Sequence, residues 1–180
     1  FKEETGNWML RGPVGLEMFK RERKEILRKE IPFVQFDKIS KLIPSSKVLI
    51  NDQKAAMEAV QHLIDKGCKK IAHIRGLENP QNSIDRFIGY KKALEKNGIP
   101  FDPKLVYACK SITFEQGVEF AKQIIMDDLG IDGIFVITDL VAIGVLAHFN
   151  EIGIQVPNQI AIIGFSNWFM SQVITPKLST

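Results

Sequence analysis

Gly153-Ile154-Gln155-Val156-Pro157, followed by Ile160-Ala161-Ile162-Ile163-Gly164-Phe165-Ser166-Asn167 and then Thr175-Pro176-Lys177-Leu178-Ser179-Thr180, is the stretch whose reading decides the fold. An unbroken apolar run, opened by a Pro turn and closed by Gly and small polar residues, predicts a parallel strand buried on both faces. A strand covered by helices on each side has no solvent face on which to alternate polar residues. Its carboxyl end then delivers Ser166 and Asn167 to a crevice. Ligands of open α/β sheets bind there, where loops carry polar groups free of the backbone ladder.

Working outward, the chain alternates strand and helix. Strands are predicted at Phe33 to Phe36, Val48 to Ile50, Ile71 to Ile74, Ile134 to Ile137 and Ile160 to Phe165, with a weaker one around Leu105 to Tyr107. Between them, Asp52 is placed as the cap of a helix whose Ala56, Met57, Val60, Leu63 and Ile64 line one face, with Gly67 as its stop. Ser83 is placed as the cap of a second, which carries Phe87, Tyr90 and Leu94 and stops at Gly98. Phe114, Val118, Ala121 and Ile125 mark a third; Asp139 opens a fourth that runs to Glu151. Such alternation predicts a doubly wound α/β architecture of parallel sheets. Pro44-Ser45-Ser46-Lys47 reads as a linker.

Composition narrows the function classes. A chain of 180 residues, 45% hydrophobic and 25% charged, can bury a core. Charged or amide residues interrupt every apolar run well short of the ~18 residues that a membrane span requires. Phe1 to Asn7 shows no cationic start followed by an apolar core, so no export signal is read. Two cysteines, Cys68 and Cys109, suit a reducing cytoplasm. His62, His73 and His148 are too scattered for a metal site, so neither metal nor cofactor is expected. A net charge of +3 does not by itself make a nucleic-acid surface. The basic stretch Lys20 to Glu30, with interleaved Glu, reads as a solvated helix laced with ion pairs. No dinucleotide or phosphate loop, nucleophile elbow, paired-carboxylate pattern or helix-turn-helix is present, which favours binding over catalysis.

Read in order, the pieces resemble the effector-binding domain of the lactose-repressor (LacI/GalR) family of bacterial transcription regulators. The G-[IL]-x-V-P turn, apolar strand, G-[FY]-D-N and P-x-L-[ST]-T segment of that family are similar to Gly153 to Thr180, with Ser166 in place of the Asp. His62-Leu63-Ile64 with Gly67 and Lys70-Ile71-Ala72, then Gly76, Ser83, Arg86 and Gly89, then Phe114 and Gly117, and finally Asp139, Ala142 and Gly144 follow the family's order and spacing. The resemblance runs from about Ile31 to Thr180. It implies a two-lobed, periplasmic-binding-protein-like fold with ligand held in a cleft, of which this chain is an incomplete fragment. Residues 1–46 would be part of the first lobe (1–20 unassigned), 47–166 the second lobe, and 167–180 a crossover back toward the first. The implied function is a cytoplasmic repressor-type regulator that senses a small carbohydrate-like effector, works as a homodimer, and meets operator DNA only through a headpiece outside this chain. Apolar residues on the helices after Asp52 and Ser83 would supply the dimer contacts. The alternative is a periplasmic sugar-binding protein serving a transporter.

The resemblance also nominates ligand contacts. Arg86, read as lying in the first turn of its helix, would donate paired hydrogen bonds to hydroxyls or a carboxylate, and its truncation should leave the unliganded fold intact. Asn82 is either a second polar contact or turn chemistry. Thr138 falls where the family commonly touches ligand, while Asp139 is read first as a helix cap and second as a contact. Ser166, with a hydroxyl where a carboxylate usually holds two sugar hydroxyls, makes fewer bonds, with Asn167 beside it as a lesser candidate. Ile112, another lesser candidate, stands where an aromatic ring often stacks on the ligand, so that stacking is lost here.

Overall fold

Side-chain alternation along two central strands organises the structure, a computed structural model that describes residue 32, residues 34–36 and residues 44–180. The basic stretch at Lys20 to Glu30 and the unassigned residues 1–20 lie outside the described residues. The chain divides into two compact units, one ending at Val48 and one spanning Leu49–Thr180.

In the first unit, β1 (Val34–Phe36) and β2 (Ser46–Val48) form a parallel pair, with Val34 opposite Ser46 and Phe36 opposite Val48. Gln35 donates to Ser45 Oγ at 2.6 Å. Two expectations are corrected here. Ser46 and Lys47 belong to the strand rather than to a linker, and Leu49 and Ile50 leave the ladder exposed. The three-residue partner sets the register and ends the pairing at Val48.

The second unit runs α1 (Asp52–Asp65), β3 (Ile71–Arg75), α2 (Gln81–Lys96), β4 (Val106–Ala108), α3 (Phe114–Asp127), β5 (Gly133–Val136), α4 (Asp139–Glu151) and β6 (Ala161–Ile163). Its four-stranded parallel sheet has the order β4-β3-β5-β6. Ala72, Ile74, Ile134, Val136 and Ile162 point into one core with residues of α3 and α4. Ile71, Phe135 and Ile163 point into the other, against Ala56, Val60, Tyr90 and Leu94 of α1 and α2. The period of two splits each apolar run between two helical layers, which is why these strands carry no polar alternation.

Glycines allow the helices within each layer to touch. A Cβ on Gly89 would collide with the Gln53 carbonyl of α1, and Cβ atoms on Gly117 and Gly144 would each strike the backbone of the other's helix, at Val141 and Phe114. Any larger residue would force the pairs apart.

The predicted caps are each off by a residue or more. Asn51 caps α1, its Oδ1 accepting from Lys54 N at 2.9 Å, so Asp52 is already helical. Helix α2 starts after Pro80 with no side-chain cap, and Ser83 sits buried inside the first turn. Thr138, extended at φ −149° and ψ 157°, caps α4 through Val141 N, which removes that role from Asp139. Neither α1 nor α2 exposes a large apolar side chain, because both turn that face to the sheet and to each other, whereas Ile125 and Met126 of α3 and Trp168, Phe169 and Val173 stand exposed. No helix among the described residues is long and apolar enough to cross a membrane.

Candidate functional site

The carboxyl ends of β5 and β6 meet the amino-terminal parts of α1 and α2, and one side chain joins all four. Arg86 is the sixth residue of α2, in its second turn rather than its first. Its Nε donates to Asp52 Oδ1 at 2.8 Å and its Nη1 to the Ile137 carbonyl at 2.7 Å, while its guanidinium lies 3.7 Å over the Phe165 ring. Only 8% of the side chain is exposed. The expectation that Arg86 is structurally dispensable is therefore overturned. It cross-links α1, α2 and the ends of two strands, and removing it would orphan Asp52 and a buried carbonyl.

Asp139 is equally committed. It is 1% exposed, accepts the Trp168 backbone N–H and the Thr180 hydroxyl, each at 2.7 Å, and occupies the space a Cβ on Gly164 would need. The carboxylate thus ties the segment after β6 to the sheet. Thr180 in turn accepts from Asn167 N at 3.0 Å, and the Ser179 carbonyl accepts from Gly164 N at 2.8 Å. Residues 167–180 are in this way laced to the end of β6.

Ser166 and Asn167 follow β6 with φ of 122° and 48°. Non-glycine residues rarely hold positive φ, and such conformations persist where the surroundings enforce them, often at binding corners. Both side chains are exposed and, with Glu58, His62, Phe165 and Thr180, line a cavity of about 600 Å³ between α1 and the end of β6. Asn82 is half-buried, its Oδ1 accepting from Ser83 N at 2.9 Å, the local turn chemistry weighed for it from the sequence. Ile112 packs against the α3 and α4 core. The structure thus gathers Arg86, Thr138, Asp139, Ser166 and Asn167 around the ends of β5 and β6, Asn82 starts the helix that carries Arg86, and Ile112 belongs to the opposite helical layer.

Three contributors were missed. Asp52 and Phe165, which the sequence presents as a cap and a strand residue, are the ion-pair partner and the ring surface of Arg86. Arg75 ends β3, and a charged residue closing an otherwise apolar buried strand was the signal that could have marked it. Deeper in the same layer His73 is fully buried, stacked on Phe135 at 4.7 Å and Tyr90 at 5.0 Å, with Nδ1 3.0 Å from the Phe135 carbonyl. Burial disfavours its charged form and pushes its pKa down to about 3.

Residues 60–180 match the family described as a periplasmic binding protein-like domain. The chain belongs to that family. Catabolite control protein A of Priestia megaterium is 34% identical to it over 158 residues, which cover 87% of this chain and 47% of the relative. The crystal structure of the transcription regulator CcpA of Lactococcus lactis superposes with a TM-score of 0.81 at 30% identity, covering 88% of this chain and 58% of that one. A sugar-binding transcriptional regulator of the LacI family from Escherichia coli, crystallised with phosphate, gives a TM-score of 0.76 at 28% identity, covering 88% and 57%. This periplasmic binding protein-like domain therefore has the parallel α/β fold of LacI-family regulators, as the motif order implied. The chain spans about half the length of the curated relatives it matches.

Proposed function

We propose that this chain is the effector-binding and dimerisation part of a LacI-type transcriptional repressor, which binds a small carbohydrate-like molecule at the carboxyl ends of β5 and β6. The observation that carries this reading is the convergence of Arg86, Thr138 and Ser166 on one corner, with the Phe165 ring beside them. Arg86 and the Thr138 hydroxyl are held by the chain's own groups and frame that corner, while the exposed Ser166 and Asn167 side chains open into the adjoining cavity and offer hydroxyl and amide groups suited to a polyol. The similarity to regulators named for transcription control supports it over the transporter alternative. The mechanism is binding without turnover and without a cofactor: the effector favours one lobe arrangement, and that preference shifts the population. Operator contact would come from a headpiece outside these residues, in a cytoplasmic homodimer.

The exposed apolar side chains Ile125, Met126, Trp168, Phe169 and Val173 are our candidates for the dimer contact, replacing α1 and α2. The test of the effector reading is a thermal-shift screen of the full-length protein against simple sugars and sugar acids. A saturable rise in melting temperature with at least one of them is the expected result. A flat response across the panel contradicts the reading.

A further inference from the structure

Arg75 is the last residue of β3, a central strand of the second unit, and ends where ligands of parallel sheets bind. Its backbone carbonyl accepts from Cys109 N, so the chain fixes its position, but its side chain is unmatched. Nε is buried without a hydrogen-bond partner, and the guanidinium lies over the face of Phe87, 4.5 Å from the ring centroid. The ion pairs among the described residues join Lys54 to Glu58, Arg86 to Asp52 and His148 to Glu151, and none reaches Arg75. A half-buried cation with an unsatisfied donor is costly, and native proteins rarely keep one without a reason.

No carboxylate among the described residues pairs with it. Asp52 serves Arg86, Asp85 accepts from Gln81, and Asp139 is filled by Trp168 N and Thr180. Glu78 is exposed on the loop beyond Gly76, and no ion pair among the described residues includes it. Ser166 places a neutral hydroxyl after β6. Lys91 adds a second cation over Phe87, at 4.8 Å, and no ion pair among the described residues includes it. Ser83 supplies an independent observation. It is 97% buried by its 3% exposure, its Oγ has no partner, and it lies 3.0 Å from where a Cβ on Gly76 would stand. Two unpartnered polar atoms thus flank one glycine, at the end of β3 and in the first turn of α2.

We infer that Arg75 reads charge on the effector, and that the effector is an anionic sugar whose phosphate or carboxylate is bound by that guanidinium. Nε is closed to solvent, so the anion meets the open edge of the half-buried guanidinium and supplies the counter-charge that no ion pair among the described residues gives it. This rests on the effector reading above and narrows its ligand class. Removing the cation while keeping a polar side chain should abolish discrimination by charge without abolishing the fold.

The test is calorimetric titration of the full-length protein with matched sets: neutral hexoses and pentoses, their phosphates and their aldonic acids, with inorganic phosphate as competitor. Phosphates and aldonic acids separate the two anion chemistries. The expected result is binding by an anionic member, with its neutral parent weaker by about tenfold or more. Arg75→Gln should remove that difference, and Arg75→Lys should retain part of it. Rising salt should weaken the anionic ligand and spare the neutral one. Equal binding of both classes, or anionic binding unchanged in Arg75→Gln, overturns the inference and leaves the effector reading standing. Failure of every sugar in both classes overturns both. If Arg75→Gln does not fold, the Lys variant and the salt dependence of the natural protein decide.

Discussion

Replacing Arg86 with alanine removes more than a ligand contact. Two charge-assisted hydrogen bonds disappear, to Asp52 Oδ1 at 2.8 Å and to the Ile137 carbonyl at 2.7 Å, together with the guanidinium over Phe165. Breaking a buried ion pair by deleting one partner costs about 3–5 kcal/mol, because the other charge is left behind. Asp52 escapes the upper part of that range. Its side chain keeps 14% exposure and it is the first residue of α1, where the helix dipole favours an anion. The loss should be about 3 kcal/mol, which for a chain of this size lowers the melting temperature by about 6–12 °C. Arg86→Lys keeps one donor and should lose about half as much, since a single ammonium cannot span both acceptors. Adding Asp52→Asn to Arg86→Ala should restore part of the loss by removing the stranded carboxylate. Urea unfolding followed by circular dichroism, without effector, measures all three. A change for Arg86→Ala within about 0.5 kcal/mol, the range of an ordinary surface substitution, would refute the reasoning.

Other perturbations test separate parts of the account. Gly144→Ala drives a methyl into the Phe114 carbonyl of α3 and should destabilise by about 1–3 kcal/mol, read as a lower urea midpoint. Asp139→Asn turns one acceptor into a donor facing the Trp168 N–H or the Thr180 hydroxyl; faster proteolysis within residues 167–180 is expected, and unchanged cleavage would count against the clamp. His73 is held neutral, with a folded pKa of about 3 against the ordinary 6.5, so its contribution is complete above pH 6.5 and is lost as the pH falls below it. Stability should decline by up to about 1.4 kcal/mol per pH unit between pH 6.5 and 5, and His73→Phe should flatten that slope.

The sheet was legible from sequence because strands sandwiched between helical layers leave unbroken apolar runs. Ile71 to Ile74 and Ile160 to Ile163 need no partner to be recognised. Cap positions were less legible. Asn51 and Asp52, or Thr138 and Asp139, offer adjacent side chains that can both cap, and the choice falls to whichever residue keeps non-helical backbone angles, Asn51 at φ −86° and ψ 77° and Thr138 at φ −149° and ψ 157°. The site was half legible. The motif order named Arg86 and Ser166, which the fold brings to one corner, but a pattern of spacing cannot show that Asp52, 34 residues away, holds the guanidinium. Nor does it show that Asp139 is spent on the chain's own Thr180. Arg75 fell outside every motif, and its lack of a partner became visible only when the surrounding carboxylates were placed in space.

Hydrogen exchange by mass spectrometry, with and without the sugar selected by the thermal screen, tests the central claim most directly. If the effector sits at the carboxyl ends of β5 and β6, exchange should slow in peptides covering 80–87, 137–141 and 164–168, and the sugar should be recovered chemically unchanged. Protection confined to other surfaces, or conversion of the sugar to a product, would contradict it.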